Sequence, residues 1–394
     1  MKKRVLVAMS GGVDSSVTAA LLKTQGYDVI GMHMSLWDHA EQNLNAGSGK
    51  CCSLTDSNDA RRVCEKLEMP FYVINAQERF QNDVVDYFVH EYLQARTPNP
   101  CVMCNNHLKF DFLIQKADEL DCDFVATGHY AKIYRDPEDG QSYLYKASDD
   151  SKDQSYFLFG LTHEALNRTM MPLGDLQKQA VRKLAETFEL PNASKHDSQD
   201  ICFIGDGGYK GFVEQRATER FKYQGPIVDP SGRIVGRHEG LYRYTIGQRK
   251  GLNFLVNEQE LQSYYVIGFD IKANTLIAGP EEHLFKKGLI ATNCNWIGSI
   301  DFSKDVKAMA KIRSGSQESP CSITLVNDNA CIVSFEQPQR AITAGQAIVF
   351  YVGEQVVGGG WIERLTDPVI NKGRQPGASS SAASQNAAKA QQQA

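Results

Sequence analysis

The sequence predicts an α/β protein: an N-terminal parallel sheet covered by helices, a small central α+β unit and a C-terminal β-barrel. Three observations carry that expectation. Strand-like and helix-like stretches alternate from residue 4 to about residue 130, the rhythm of βαβ crossovers. After about residue 226 the chain becomes short β-like runs separated by Gly, Asn, Asp and Pro. The length, 394 residues, is long for one domain and ordinary for two or three.

Residues 4–9 read as a buried strand and 15–24 as a helix. YDVIGMHMSL (27–36) is a second strand, and a polar loop holding Cys51 and Cys52 fills about 38–55. An amphipathic helix spans 56–68, with Asp56 or Ser57 as its N-cap. FYVINA (71–76) is the third strand; helices come next at 79–95 and 105–120, then the strand DFVATGH at 123–129. Residues 131–147 form a hairpin with its loop at Asp136–Gly140, and 175–190 form a helix ending before Pro191. GPIVDPSGRIVG, YYVIGFD and TLIAGP suit a small sheet, while CSITLVN, ACIVSFE and AIVFYVG suit a barrel. The end, GASSSAASQNAAKAQQQA, has no large apolar residue and is expected to be disordered.

Composition narrows the setting. The chain is 42% hydrophobic and 23% charged, as soluble proteins are. No apolar run approaches the roughly 20 residues that span a bilayer. The basic, then apolar, N-terminus is interrupted at Ser10-Gly11-Gly12, too early for the about 7–15 apolar residues of a signal peptide. The expectation is a cytoplasmic protein with no membrane partner. Ten cysteines then point to packing, metal binding or redox chemistry instead of structural disulfides. A net charge of −5 weighs only weakly against a nucleic-acid partner, because local patches do the binding.

The stretch VLVAMSGGVDSSVTAALL (5–22) places two glycines, hydroxyls and one acid where a buried strand ends. Glycine lets the backbone approach an anion closely, and the helix after it offers free N–H groups and a positive dipole end. Together they suit a phosphate. Ser15 and Ser16 add hydroxyls, and Asp14 makes sense if Mg²⁺ accompanies the phosphate. The stretch matches neither the Gly-Lys-Ser/Thr P-loop nor G-x-G-x-x-G. The plain alternative is a capped strand-to-helix turn.

Cysteines mark two further sites. In ARTPNPCVMCNNHLKF (95–110) two prolines stiffen a loop, and Cys101 and Cys104 precede a helix starting near Asn105, where a thiolate is stabilised. In SKHDSQDICFIGDGGY (194–209), Cys202 comes after a polar run with Lys195 and His196. Half a zinc site with His107 is one alternative for the first pair, though no second spaced pair completes it. A core cysteine between Ile201 and Phe203 is the alternative for Cys202. Cys64, Cys122, Cys294, Cys321 and Cys331 fall in helix or strand patterns and are assigned to packing.

S-G-G-x-D-S-S after a first strand resembles the pyrophosphate-binding loop of the PP-loop ATPases, enzymes that split ATP between the α and β phosphates. With TPNP…CN (97–105), KFD (109–111), ATGHY (126–130), KDQSYFL (152–158), ICFIG (201–205), GLYRYTIGQRKGL (240–252) and GQAIVFY (345–351), the chain resembles the tRNA-specific 2-thiouridylase (MnmA/TrmU) family over about residues 4–366. The resemblance implies an adenine nucleotide alpha hydrolase-like PP-loop catalytic domain at 1–205. It further implies a central tRNA-binding domain at 206–283, a β-barrel at 284–366 and a tail at 367–394.

It also implies a reaction. ATP would adenylylate the C2 oxygen of a wobble uridine, and sulfur from an enzyme persulfide would replace that oxygen, releasing AMP and pyrophosphate. Cys202 would carry the persulfide. Cys104 would be the partner thiol, attacking the terminal persulfide sulfur or the activated ring carbon, and the two would end as a disulfide. Ala8, Met9, Ser10, Gly11, Gly12, Val13, Asp14 and Ser15 would hold ATP with Mg²⁺, framed by Met34 and Gly128. Asn99, Pro100 and Cys101 would meet the flipped base. His129, Lys152, Asp153, Gln154, Arg313, Ser314 and Gln346 would contact tRNA. The implied partners are the glutamate, glutamine and lysine acceptors and a persulfide donor, either a cysteine desulfurase or a relay protein.

One departure stands out. Many members carry Asp where this chain has Cys101. Either a thiolate or water then handles the proton, or Cys101, Cys104 and Cys202 form a three-thiolate iron–sulfur site. Two other classes compete. A PP-loop ligase acting on a small metabolite leaves the cysteine motifs and barrel unexplained. A non-catalytic tRNA-binding or sulfur-carrier protein leaves the ATP loop unused.

Overall fold

The computed structural model describes residues 2–37, 54–197, 201–205, 207–218, 223–255 and 263–365. Cys51 and Cys52, most of the expected loop at 38–55 and the expected tail at 367–394 lie outside the described residues. No described helix is long and apolar enough to cross a membrane.

The strands of the first sheet are β1 (Arg4–Ala8), β2 (Asp28–Ser35), β3 (Phe71–Asn75), β4 (Phe124–Ala126) and β7 (Thr169–Met170). They run parallel, in the order β3-β2-β1-β4-β7. Side chains alternate across β1 as the strand period requires. Val5 and Val7 face a core shared with α1 (Val13–Thr24), α2 (Leu54–Lys66) and α8 (Lys178–Thr187). Leu6 faces the opposite core, filled by Phe80, Val84, Phe88, Val102, Leu108 and Phe110. These come from two long helical runs, one holding α3 (Gln77–Phe80) and α4 (Tyr87–Leu93), the other α5 (Pro100–Cys104) and α6 (Leu113–Glu119). Each run has a wider, π-type stretch at its middle, Gln81–Asp86 and Asn105–Phe112. After β3 the chain crosses to the other side of β1 to form β4. That reversal opens a crevice at the carboxyl ends of the strands, where ligands of such sheets bind.

Three expectations are corrected. The helix expected from Asn105 starts at Pro100, because proline at the first helical position loses no hydrogen bond. Cys101 and Cys104 therefore sit on a helix and not in the loop before it. Asp56 lies inside α2, engaged by Lys195, and does not cap it. The helix expected at 175–190 is α8 alone, and α7 (His163–Arg168) and the short β7 had no expectation.

A second sheet is built from β8 (Gly225–Val228), β9 (Ile234–His238), β10 (Tyr264–Asp270) and β11 (Thr275–Pro280), in the order β10-β11-β8-β9, beside α9 (Gly208–Arg216). It encloses Ile227, Val235, Val266 and Leu276. The third sheet runs β12 (Phe285–Trp296), β15 (Ala330–Arg340), β14 (Ser319–Asn327), β13 (Val306–Lys311), β16 (Ala347–Val352) and β17 (Gln355–Leu365). Pairing of β12 with β17 closes it into a six-stranded antiparallel barrel, as expected. The expected hairpin, β5 (Lys132–Arg135) and β6 (Ser142–Tyr145), joins this sheet through β6 and β17. An early segment thus completes a late one.

Candidate active site

Strand β1 delivers Ser10-Gly11-Gly12 to the crevice, and α1 begins immediately after. Gly11 has φ +78°, and a Cβ there would stand 2.2 Å from the Asp56 carbonyl oxygen. Only glycine fits. No side chain caps α1. Its first-turn amides are the donors that a bound anion would use. The hydroxyls of Ser15 and Ser16, expected as further donors, instead bond the Gly12 carbonyl at 3.1 and 2.9 Å and brace the turn. Gly128, after β4, lies against Asp14 and Ser15, where a Cβ would come within 2.8 Å of backbone.

A cavity of about 460 Å³ opens at this point. Its lining includes Ala8, Met9, Ser10, Gly12, Val13, Asp14 and Ser15, with Met34 and Gly128. Gly11 lies behind the lining, its carbonyl bonded by Asn192 and Lys195 at 3.0 and 3.1 Å. Pro100, Cys101, Cys104 and Cys202 line the same cavity. The glycine-loop residues and both candidate cysteines, spread over nearly two hundred positions, therefore share one space. Phe203 is buried among Trp37, Phe80, Phe88 and Phe212, which leaves Cys202, half-buried, at the wall. Ile201, Cys202 and Phe203 all line the cavity, Phe203 buried and Cys202 packed partly against the core.

The residues expected at tRNA divide. His129, Lys152 and Gln154 line the cavity. His129 is buried and its Nδ1 lies 2.8 Å from Thr127 Oγ1. Burial, helped by the nearby Lys109 charge, pushes its pKa well down and keeps the ring neutral. A group so enclosed can reach only something inside the cavity. Asp153 turns inward, accepting from Ala147 N, Ser155 N and Ser155 Oγ at 3.0, 3.2 and 2.8 Å. Asn99 is buried at the N-cap of α5, outside the lining. Arg313 and Ser314 are exposed on the barrel, where Arg313 donates to the Arg340 carbonyl at 2.8 Å. Gln346 donates to the carbonyls of Thr97 and Pro98 at 2.9 and 3.2 Å.

Several residues of the site carried no sequence signal. Lys178, at the start of α8, bonds both Asp14 carboxylate oxygens at 2.7 and 2.9 Å and Asp197 Oδ1 at 2.8 Å. Tyr130 adds a hydroxyl to Asp14 at 2.8 Å. Asp14, expected beside Mg²⁺, is here the acceptor of an internal charge network. Lys152 and Arg182 also pair with Asp197, at 2.8 and 3.1 Å. Burial works against ionising Asp197, yet the hydrogen bonds and charges of Lys152 and Lys178 hold its pKa down at about 2. Lys195 lies between Asp56 and Asp59 at 2.7 and 2.6 Å, against the glycine loop. The result is a set of cations beside the glycine turn, each paired with a carboxylate.

Among the described residues, no three His, Cys, Asp or Glu side chains are gathered closely enough to hold a metal ion. Cys101, Cys104 and Cys202 share the cavity without forming such a set, so they do not fit the iron–sulfur site, and no step is derived through one. The glycine turn and its uncapped helix are of a form that can hold a phosphate group.

Comparisons with known proteins bear on the whole chain. A family model described as "tRNA methyl transferase HUP domain" matches residues 3–206. Others described as "tRNA methyl transferase PRC-barrel domain" and "Aminomethyltransferase beta-barrel domain" match 210–280 and 286–362. A protein of Geobacter metallireducens named tRNA-specific 2-thiouridylase MnmA is 48% identical over 366 residues, 92% of this chain and 97% of that protein. One of the same name from Geotalea uraniireducens is 49% identical over 368 residues, 93% of this chain and 96% of that protein. A solved 4-thiouridine synthetase–RNA complex with bound ATP aligns at 13% identity and TM-score 0.36, over 54% of this chain and 50% of that one.

Proposed function

Since the chain belongs to the tRNA-specific 2-thiouridylase (MnmA/TrmU) family, we propose that its cavity uses ATP to activate the C2 oxygen of a wobble uridine and replaces that oxygen with sulfur. The enzyme is a tRNA-uridine 2-sulfurtransferase. The observation that supports the mechanism is the shared cavity, lined by residues of the glycine loop and by Cys104 and Cys202.

In this reading residues 8–15 hold the phosphates, Met34 and Gly128 frame the nucleotide, and Mg²⁺ accompanies it. The lysines now paired with Asp197, Asp14 and Asp56 lie where phosphate charge would enter. ATP supplies the leaving group: uridine O2 departs poorly by itself and well as AMP. The base is out of its stack when it enters, against Pro100 and Cys101, with Asn99 behind them at the head of α5. His129 is neutral and meets the base within the cavity. Lys152 and Gln154 border it, and Asp153 holds their turn. Arg313 and Ser314 meet tRNA outside, on the barrel. Cys202 carries the persulfide and Cys104 resolves it. The two thiols end as a disulfide, the sulfane sulfur goes to C2, and AMP leaves. A reductant must reopen the disulfide each cycle, which suits a cytoplasmic setting. The substrates are the glutamate, glutamine and lysine tRNAs, and the sulfur comes from a desulfurase or relay protein. Residues 1–205 form the catalytic unit, 206–283 a central tRNA-binding unit and 284–366 the barrel, with the tail at 367–394.

The test is nucleoside mass analysis of unthiolated tRNA incubated with protein, Mg·ATP, a sulfur source and reductant. Two-thiouridine should appear only with ATP and vanish in Cys202→Ser. AMP formation without a thiolated base would leave the ATP reading standing and end the thiolation reading.

A further inference from the structure

Helix α5 sets two cysteines one turn apart at the wall of the cavity, and they differ in exposure. Cys101 is exposed; Cys104 is half-buried and packs in part against the core. Cys202, also half-buried, lines the same cavity. We propose that Cys101 is a third catalytic thiol: it attacks the Cys104 sulfur of the Cys104–Cys202 disulfide, moves the disulfide to Cys101–Cys104 and returns Cys202 to a thiol for the next sulfur. The inference rests on the thiolation reading and deepens it, since that reading ends on a disulfide that must reach a reductant.

Residues three apart on a helix share a face, with Cβ atoms about 5–6 Å apart. A disulfide needs about 3.5–4.5 Å between them. The turn holding Cys101 and Cys104 must therefore tighten by about 1–2 Å. It is the first turn of α5, where amide hydrogens have no intrahelical acceptor to give up, and Pro100 has no such hydrogen. Asn105 N donates to both the Cys101 and the Val102 carbonyls, a mixture of α and 3₁₀ bonding that is tight already. Val102 is fully buried and fixes which face of the helix meets the core. Cys101 and Cys104 both reach the cavity.

Burial sets the direction of the exchange. The first disulfide joins two half-buried sulfurs, and tRNA fills the cavity as it forms. A reductant from solution meets that bond poorly. Cys101, one turn away, attacks it at the high effective concentration of an intramolecular thiol. A bond forms between the Cys101 thiolate and Cys104 Sγ, and the Cys104–Cys202 bond breaks. The electron pair leaves on Cys202 Sγ, which takes up the proton that Cys101 gave. No electrons enter or leave the protein in this step. The new disulfide has one exposed sulfur, that of Cys101. An external dithiol attacks it there, is itself oxidised to a disulfide, and returns Cys101 and Cys104 to thiols. The relay thus carries the oxidised bond from the half-buried pair to the exposed one.

The experiment follows the disulfide through one turnover. Protein charged with persulfide by a cysteine desulfurase and cysteine is separated from both and given unthiolated tRNA and Mg·ATP without reductant. It is then quenched, alkylated and digested with trypsin, and 2-thiouridine is measured in the same sample. Cys101 and Cys104 fall in one tryptic peptide, 97–109, and Cys202 in another, 196–210. The expected main product is peptide 97–109 lighter by two hydrogens and unalkylated, with Cys202 alkylated. Peptides 97–109 and 196–210 joined, with Cys101 alkylated, as the main product overturns the proposal, and so does 2-thiouridine formed with no disulfide. In Cys101→Ser the joined peptides should persist, and added dithiol should reduce them at least about tenfold more slowly than the wild-type disulfide. Equal reduction rates overturn the proposal, and the wild-type mapping decides by itself if the variant makes no product. A wild-type protein that makes no 2-thiouridine brings down the thiolation reading, on which the proposal rests.

Discussion

At the scale of single residues, the site is organised by charges that the chain brings from far apart. Lys178 and Asp14 are separated by 164 positions and bond at 2.7 Å. Asp197 takes hydrogen bonds from Lys152, Lys178 and Arg182. Its pKa, about 2, lies below the ordinary carboxylate value in spite of burial, because those cations outweigh the desolvation. A folded-state pKa below the unfolded one stabilises the protein above the ordinary value, and this is lost as pH falls toward 2. Asp197→Asn should therefore flatten the fall in stability between about pH 4 and pH 2, by about 1–2 kcal/mol after allowance for its partial exposure. Urea melts of both proteins across that range check it, and identical pH slopes would refute it. None of these partners was legible in the sequence, where Lys178 opens an ordinary amphipathic helix and Asp14 suggested Mg²⁺.

At the scale of elements, the strand-to-helix turn was legible and its inner workings were not. SGGVDSS between an apolar run and a helical one marks a glycine turn at a helix N-terminus from residue types alone, the form of an anion site. That Gly11 must be glycine because α2 passes over it required the fold. Gly11→Ala forces the new methyl against the Asp56 carbonyl, at a positive φ. A loss of about 1–3 kcal/mol of stability is expected, with weakened ATP binding. Calorimetric titration with Mg·ATP and a denaturant melt measure both; wild-type values for each would show that the turn relaxes freely. The start of α5 shows the opposite case. The prolines were visible, but the expectation treated them as a loop signal, whereas Pro100 opens the helix and carries the cysteines onto it.

At the scale of the molecule, the N-terminal sheet and the barrel share a core. Leu144, Tyr156 and Phe159 pack in one cluster with Ala347, Val349, Tyr351 and Val356. β6 pairs with β17, and the Tyr156 hydroxyl donates to the Ala347 carbonyl at 2.9 Å. A fragment of residues 1–205 would expose these buried side chains and an unpaired strand edge. It should aggregate, or melt well below the full chain with strong binding of a hydrophobic dye. A soluble fragment melting like the full chain, monitored by circular dichroism, would show that the two parts fold independently.

The sequence by itself determined the fold class and singled out the glycine turn and the candidate cysteines, because strand and helix periodicity, glycine and proline chemistry and short motifs are local properties. Only the tertiary structure decided which residues meet. It placed Cys202 at the cavity wall beside the buried Phe203, turned Asp153 inward, drew Lys178 and Lys195 to the glycine loop and laid Gln346 on Thr97 and Pro98. Contacts between residues a hundred or more positions apart depend on how sheets cross and close, and no local pattern of residue types encodes that geometry.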